Sequence, residues 1–339
     1  MSARNGIIAG GNWIVDHVKV IDTWPPQDAL ATILSQASGN GGAPYNLLKN
    51  LAKLGAPFPL EAIGLVGDDS DGRTILAGCR AHGIVPSQLS TTPAAATSYT
   101  DVMTERATGR RTFFHQRGAN ALLAPEHFDF GTTRAKLFHL GYILLLDSLD
   151  APDATGRPRA TAVLQSARAA GLRTSLDCVS ENSDRFHSVV KPVLPVVDFF
   201  FANDFEAEKL TGISLGRGAT LNPAAIERSA RELIRLGVGE WAFIHFPEGA
   251  CACSAKGDIV WQPAVKLPSA EIKGTAGAGD AFAAGVLLGV HENWSIGRCL
   301  ELGVCAAATS LQHPTCSASI RSQAECLALG QTLGFGQLP

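Results

Sequence analysis

The sequence lacks the patterns that mark several large classes of protein. It has no block of basic residues, and its formal net charge is −3 over 339 residues, so the positive patch of a nucleic-acid-binding protein is missing. No apolar run approaches the length of a membrane span, and the polar residues 1–6 do not form the apolar core of a signal peptide. We therefore expect a cytoplasmic protein that binds neither nucleic acid nor membrane.

Signatures of covalent and metal chemistry are also missing. The eight cysteines form no C-x-x-C pair and show no metal-ligand spacing, which favours reduced, buried thiols over disulfides or a zinc site. Cys251 and Cys253 alternate as in a strand, so we expect them to pack on one face. The glycine turn at residues 39–42 has neither the Lys nor the Ser/Thr of a P-loop, so it does not predict phosphate binding by that mechanism.

What the sequence does contain is typical of a compact α/β protein. Hydrophobic residues make up 46% of the chain and charged residues 17%, with 35 Gly and 18 Pro, a composition that fits a globular protein rich in tight turns. After Pro125, strand patterns alternate with helix patterns, which predicts a mostly parallel sheet with helices on both faces. Ligands bind such sheets at the carboxyl ends of the strands, where Asp177 and Asn203 fall.

Further strands precede this region. The patterns predict strands at residues 13–21 and 30–34, and a hairpin of two strands, 99–104 and 111–115, around a turn at 107–109.

A glycine-rich turn before a buried helix is the most informative stretch. Gly277 and Gly279 let the backbone turn tightly, so the amides at the helix start can point outward as free donors to an anion. Asp280 stands among these amides. A carboxylate there supplies the base that phosphoryl transfer to a hydroxyl needs, beside donors for the transferred group. On this stretch alone, a helix-capping Asp explains the pattern equally well.

A second glycine turn opens the helix at residues 47–54. Gly41 and Gly42 permit the close approach of a small polar ligand, and Asn46 follows one turn into the helix, where it is either a ligand group or a surface residue. Asp16 stands in an alternating strand and is either solvent-facing or aimed at a polar ligand.

Four motifs together resemble those of the ribokinase-like (PfkB) family of carbohydrate and nucleoside kinases, and the resemblance covers nearly the whole chain. Each is weak alone, but four in the family's order make a chance match improbable. They are the sugar-binding turn G-G-A-x-x-N at 41–46, the G-x-V-G-x-D-x-x-G segment at 64–72, the N-x-x-E helix start at 203–206 and G-A-G-D at 277–280.

The resemblance implies roles for individual residues. Asp280 would take the proton from the acceptor hydroxyl, and the amides of Gly277, Ala278 and Gly279 would form the anion hole. Mg²⁺ would be held, mostly through water, by Asn203, Glu206 and Asp177, and ATP would be contacted by Asn203, Gly249, Gly277 and Gly279. The sugar hydroxyls would be bound by Asp16, Gly41, Gly42 and Asn46. The part of the substrate that decides its selection would be contacted by His115 and Arg117. Alternatively, Glu206 is a solvated carboxylate in the first turn of a helix. His115 and Arg117 can likewise be interpreted as exposed residues of an edge strand.

The resemblance also implies the domain organisation. Residues 1–12, 35–96 and 118–339 would form a doubly wound α/β nucleotide-binding core, and residues 13–34 and 97–117 a small β lid that excludes water from the sugar. Lids in this family often pair two chains, so the resemblance allows a homodimer.

Two departures from the family pattern stand out. Gly274 occupies a position where the family often has an Asp associated with a monovalent cation, so the sequence does not predict activation by K⁺. Ile244 and Phe246 replace a polar residue and a glycine that usually face the nucleotide, which predicts an altered contact on the nucleotide side.

The sequence therefore predicts an ATP-dependent kinase that phosphorylates a primary hydroxyl of a small sugar or sugar acid. The spacing from Asn12 to Asp16 also permits a nucleoside kinase, whereas residues 41–44 favour a sugar. A catalytically weak, ligand-binding regulator on the same fold is the third hypothesis, motivated by Gly274 and Phe246, and the intact Asp280 argues against it.

Overall fold

The computed structural model of the protein describes residues 4–338, so residues 1–3 and 339 of the predicted core domain lie outside the described part. Within it, the strands form a large sheet of nine and a small sheet of four. The strands are β1 Ile7–Gly11, β2 Ile14–Ile21, β3 Ile33–Gly41, β4 Leu60–Gly67, β5 Ile84–Thr92, β6 Ser98–Glu105, β7 Arg111–Gln116, β8 Leu137–Ile143, β9 Arg173–Cys178, β10 Phe199–Asn203, β11 Trp241–Phe246, β12 Gly249–Ser254 and β13 Ile259–Pro263. The helices are α1 Ala43–Leu54, α2 Ser70–Ala81, α3 Asp147–Asp150, α4 Ala160–Ala169, α5 Asp204–Thr211, α6 Pro223–Arg235, α7 Ala278–His291, α8 Ile296–Ser310 and α9 Gln323–Leu333.

The large sheet is mostly parallel. Its order is β13-β12-β11-β10-β9-β8-β1-β4-β5, and only the pairs β11–β12 and β12–β13 are antiparallel. The chain winds outward from β1 in both directions, to β4 on one side and to β8 on the other. Such a reversal opens a crevice at the carboxyl ends of the central strands. The predicted fold class is confirmed.

Helices cover both faces of this sheet, as predicted. One buried cluster takes apolar side chains from α1, α2, α7, α8 and α9, and a second takes them from α4, α5 and α6. Helix α7 is buried from Asp280 to His291, which agrees with its almost uniformly apolar sequence. No helix in the part of the chain described here is long and apolar enough to cross a membrane.

Each of the eight cysteines is a free, buried thiol, as predicted. Cys251 and Cys253 lie in the same core cluster, so they do share one face of β12.

The small sheet has the order β3-β2-β6-β7. Two residues separate β1 from β2, so the chain passes directly from the centre of the large sheet into the small one. The predicted hairpin is present as β6 and β7. Its register places four residues in one row across the sheet: Gly39, Asp16, Thr100 and His115.

The strand expected at residues 30–34 is wrong, because β3 runs from Ile33 to Gly41. Residues 35–41, which the predicted boundaries gave to the core, therefore pair with β2 in the small sheet. The first six residues of β3 are exposed, so no burial on one face imposes the apolar alternation that makes a strand recognisable. Strand β5 was not predicted, and only two of its nine residues, Ile84 and Leu89, are buried.

Candidate active site

The glycine turn before α7 forms the floor of the candidate site. Gly277 is the N-cap of α7 with a φ of 77°, and a Cβ there would lie 2.5 Å from Cys316 Cβ, so only glycine fits. The first amides of a helix have no partner within it. Of the predicted donors, the Ala278 amide makes a long bond of 3.4 Å to the Thr275 carbonyl. The arrangement is therefore that of an anion site at a helix start.

Asp280, in the first turn of α7, is buried and held from two sides. Asn46 Nδ2 of α1 donates to Asp280 Oδ2 at 2.7 Å, and the Tyr142 hydroxyl of β8 lies 2.7 Å from both carboxylate oxygens. These bonds fix the orientation of the carboxylate. Tyr142 was not predicted as a site residue. Its position near the carboxyl end of a central strand is the signal that would have pointed to it.

The environment of Asp280 favours its protonated form. Burial raises the pKa of Asp280 to about 8, the charge of Asp177 adds to the rise, and the bonds from Tyr142 and Asn46 oppose it. A carboxyl with a pKa near neutrality can exchange a proton during a reaction at ordinary pH.

The second glycine turn supports Asp16. A Cβ at Gly41 would overlap the Asp16 carboxylate, and a Cβ at Gly42, whose φ is 81°, would overlap the Asn12 carbonyl oxygen. Both glycines are thus required by close approach. The Asn46 side chain is bonded within the protein at both ends, since its Oδ1 accepts from Asn40 Nδ2 at 2.6 Å.

Asp16 faces a polar row of the small sheet. Burial raises the pKa of Asp16 to about 7, against hydrogen bonds from Cys316 and Thr100 that lower it. His115 Nδ1 lies 3.0 Å from Thr100 Oγ1, and within residues 4–338 its buried Nε2 has no hydrogen-bond partner. Burial lowers the pKa of His115, so the ring is neutral at pH 7. A neutral ring with an unpaired nitrogen can still bond a ligand hydroxyl.

Arg117 is placed differently from His115. Its Nη1 donates to Asp147 Oδ1 at 2.6 Å and to the Leu144 carbonyl at 3.3 Å. These bonds connect the residue that follows β7 to Leu144 and Asp147, which follow β8. The Arg117 side chain is therefore already paired within the protein.

Of the predicted magnesium ligands, Asp177 lies near the end of β9, Asn203 at the end of β10 and Glu206 in the first turn of α5. Asn203 caps α5, and its side chain and that of Glu206 bond each other's backbone amides. Burial raises the pKa of Glu206 to about 7. No group of three or more His, Cys, Asp or Glu side chains in the described chain could hold a metal ion directly.

Asp177 provides an observation in favour of a bound cation. Its Oδ2 lies 3.4 Å from His139 Nε2, while its buried Oδ1 has no partner among residues 4–338. An unpaired buried carboxylate oxygen is costly unless a cation or water satisfies it. The residues therefore fit Mg²⁺ held through water.

On the nucleotide side, the alternation of β11 separates its residues. Ile244 and Phe246 lie in the apolar core, while a Cβ at Gly279 would lie 3.1 Å from His245 Cε1. His245, which sequence reasoning missed, is thus the residue of β11 that reaches the glycine turn. Burial lowers its pKa to about 4. A Cβ at Gly249 would overlap the Gln262 carbonyl oxygen, so the packing of β13 already requires that glycine.

Comparison with known proteins places this chain in a family. Residues 12–323 match the profile of the pfkB family carbohydrate kinases. An ATP-dependent ribose-1-phosphate kinase of Halopiger xanaduensis is 27% identical over 303 residues, which cover 88% of this chain and 89% of the relative. Adenosine kinase of Saccharomyces cerevisiae is 26% identical over 284 residues, which cover 80% of this chain and 78% of the relative.

The fold is shared with solved structures as well. Arabidopsis thaliana ribokinase complexed with ribose and ATP superposes with a TM-score of 0.76 at 20% identity, over 99% of this chain and 100% of that chain. The family profile spans both glycine turns, the Asn203 helix start and the small sheet. The chain therefore belongs to the pfkB family of carbohydrate kinases, and the predicted enzyme class, an ATP-dependent sugar kinase, is confirmed.

Proposed function

We propose that this kinase transfers the γ-phosphoryl group of ATP to a primary hydroxyl of a small sugar or sugar acid, with Asp280 as the base. The observation that carries the proposal is the buried Asp280 carboxylate in the first turn of α7, bonded by Asn46 and Tyr142. A base fixed beside free helix amides combines proton removal with stabilisation of the transferred group.

The proton moves between the acceptor hydroxyl and Asp280. With its pKa raised to about 8, Asp280 accepts the proton only in its ionised form, which becomes more abundant as pH rises. The amides of Gly277, Ala278 and Gly279 stabilise, by hydrogen bonding, the negative charge that develops on the phosphoryl oxygens. His245 lies against Gly279 and, being neutral, contributes a polar contact without repelling Mg²⁺.

Recognition of the sugar falls to the small sheet and the α1 turn. Asp16 accepts hydrogen bonds from sugar hydroxyls, and Gly41 and Gly42 let the substrate approach the backbone. His115 offers its unpaired Nε2 to the part of the substrate that distinguishes one sugar from another. Asn46 orients Asp280 and reaches a hydroxyl when the bond to Asn40 is exchanged. Arg117 supports selection indirectly, through its ion pair with Asp147.

Asp177, Asn203 and Glu206 would hold Mg²⁺, mostly through water, and Asn203 and Gly249 would line the nucleotide side. Magnesium, when bound with ATP, neutralises charge on the phosphates. The buried, unpaired Asp177 oxygen is the acceptor that such a cation would satisfy.

The small sheet acts as the lid over the sugar, with its boundaries at β2, β3, β6 and β7. Closing it excludes water, which otherwise competes as the phosphoryl acceptor. The small sheet leaves large apolar side chains exposed, with 57% of Phe113, 52% of Phe114 and 50% of Ile33 accessible. Apolar patches of this kind often mark a protein interface, so we assign a homodimer paired through the lid. Light scattering of the wild type and of a Phe113→Ser/Phe114→Ser variant tests this, because the variant should become monomeric.

The eight free thiols fit a reducing compartment, and the protein is accordingly assigned to the cytoplasm.

A nucleoside acceptor is the second candidate, because the adenosine kinase of Saccharomyces cerevisiae is among the relatives. A coupled assay for ADP release across sugars, sugar acids, sugar phosphates and nucleosides decides between the two. Turnover confined to nucleosides would replace the sugar proposal. ATP binding without turnover on any acceptor would favour the ligand-binding regulator.

A further inference from the structure

Arg111, the first residue of β7, crosses from the small sheet to the loops beside the anion hole. Its Nη2 lies 3.3 Å from the Lys273 carbonyl oxygen and 3.4 Å from the Pro314 carbonyl oxygen. Its Nη1 is buried and has no hydrogen-bond partner in the described part of the protein. A guanidinium is charged at any ordinary pH, so a fixed positive charge stands between these two loops.

Gly274 makes room for this guanidinium. A Cβ at Gly274 would overlap Arg111 Nη2 and would lie 3.0 Å from both Arg111 Cζ and Pro314 Cα. A larger residue at position 274 would therefore displace Arg111. The guanidinium is therefore accommodated in this position only because residue 274 is a glycine.

This arrangement occupies the position where the family resemblance implies a monovalent cation. Such an ion is held by oxygen atoms, above all backbone carbonyls. Here two carbonyl oxygens from separate loops converge on the guanidinium instead, and position 274 offers no carboxylate. The residues present do not fit a monovalent cation at this position, because Arg111 already fills it.

We propose that the Arg111 guanidinium replaces the monovalent cation beside the anion hole, so that this kinase carries its own positive charge in a side chain of the lid. The inference rests on the proposed function in one respect, the assignment of the α7 turn as the anion hole.

The connection to the anion hole runs through both loops that Arg111 joins. Lys273 lies four residues before Gly277, and Pro314 lies two residues before Cys316, which packs on Gly277. A positive charge between them favours the anion held by the helix amides. Because Arg111 belongs to β7, movement of the small sheet would also move this charge.

The first measurement compares K⁺ with tetramethylammonium at constant ionic strength. For the wild type we expect the same kcat in both salts, and the same shift of the unfolding temperature in both. In Arg111→Ala, kcat should fall about 10-fold or more, since a charge beside the anion hole is lost. Arg110→Ala removes the exposed neighbouring arginine of the same hairpin and should leave kcat unchanged.

Two further variants separate displacement of the charge from its removal. Gly274→Ala keeps Arg111 but displaces its guanidinium, so it should reproduce much of the fall in kcat that we expect for Arg111→Ala. Arg111→Ala/Gly274→Asp creates space, a carboxylate and two free carbonyls. In that variant K⁺ should raise kcat at least about 5-fold, which is the lower end of the effect that a ligand at one site has on another site. K⁺ should also raise the unfolding temperature above its value in tetramethylammonium.

Strong K⁺ activation of the wild type, or a K⁺-specific rise of its unfolding temperature, would overturn the proposal. So would an Arg111→Ala variant whose KM for the acceptor rises while its kcat is kept, because Arg111 would then be a substrate-binding residue. If Arg111→Ala does not fold, Gly274→Ala gives the kinetic answer. A wild type without turnover on any acceptor would contradict the proposed function, while the unfolding temperatures would still test the cation replacement.

Discussion

The two glycine turns of the site are built in the same way and have different chemistry. Each ends in a glycine with positive φ, 81° at Gly42 and 77° at Gly277, that precedes a helix without a side-chain cap. The two helices pack in the same core cluster, and Asn46 of α1 bonds Asp280 of α7. The backbone alone therefore does not decide what each turn does.

The first helical turn makes the difference. Helix α1 has Pro44 near its start and no acidic residue in its first turn, so it offers fewer amide donors and no base. Helix α7 has no proline there and carries Asp280. We therefore expect changes around α1 and Asp16 to act mainly on KM, and changes around α7 to act mainly on kcat.

Replacing the proposed base should have the largest effect. Asp280→Asn keeps the shape of the side chain but cannot accept the proton, so kcat should fall by between about 10² and 10⁴. Binding of the acceptor, measured by calorimetry, should change little. Asp28→Asn removes an exposed carboxylate and serves as the control with unchanged kcat. Turnover of Asp280→Asn near the wild-type level would show that another group is the base.

Replacing three of the glycines by alanine compares how much each substitution lowers the free energy of unfolding. An alanine in the left-handed region costs about 1–2 kcal/mol, and overlap with a packed neighbour adds about 1–3 kcal/mol. Gly55→Ala measures the first cost alone, because Gly55 has a φ of 80° and nothing within 4 Å of its Cβ position. Gly277→Ala should lower the free energy of unfolding by more than Gly55→Ala. Gly42→Ala should lower it most, because its Cβ would lie only 1.9 Å from the Asn12 carbonyl oxygen, against 2.5 Å from Cys316 Cβ at Gly277.

Denaturant unfolding gives all three values. If Gly42→Ala cost no more than Gly55→Ala, the close approach of the α1 turn to Asn12 would be wrong.

The sequence predicts those parts of the molecule that local patterns determine. The glycine turns, the apolar helix α7 and the buried strands each carry a periodicity or a turn residue that depends on nearby positions. The polar and exposed β3 has no such signal, and its strand pairing was found only in the structure.

Contacts between distant residues set the second limit. Tyr142 meets Asp280 across 138 positions of sequence, and Arg111 meets Lys273 across 162. No local pattern reports such pairs. Asp280 was nevertheless predicted as a site residue, because the family motif at 277–280 carries it, and Asp16 because its spacing from Asn12 resembles that of family members. Their hydrogen-bond partners Tyr142 and Cys316 lie outside those motifs, and so does Arg111.

Asp16 tests the binding side of the comparison. Asp16→Asn removes the carboxylate that we propose accepts sugar hydrogen bonds, which should raise KM for the sugar about 10- to 100-fold, with kcat changed by less than about 3-fold. Asp101→Asn removes a carboxylate of the same sheet that pairs with Lys19, and it should leave KM unchanged. A fall in kcat as large as the rise in KM would assign Asp16 to the chemical step and remove the distinction between the two turns.

A substitution at Tyr142 tests the proposed proton transfer to Asp280, and it has the smallest expected effect of these variants. Burial raises the pKa of Asp280 to about 8, and the Tyr142 hydroxyl lowers it, so Tyr142→Phe should raise that pKa further. Since only the ionised carboxylate accepts a proton, kcat/KM rises with pH up to the pKa, and this acidic limb should move to higher pH in the variant.

Each unit of that shift lowers the rate at pH 7 about 10-fold, and the rate should recover in alkaline buffer. Tyr99→Phe, a hydroxyl removed from the small sheet, should not move the limb. A loss of activity in Tyr142→Phe that is equal at every pH would mean that the tyrosine positions the substrate or the helix and does not tune the base. The α7 turn would then owe its reactivity to burial and to Asp177 alone.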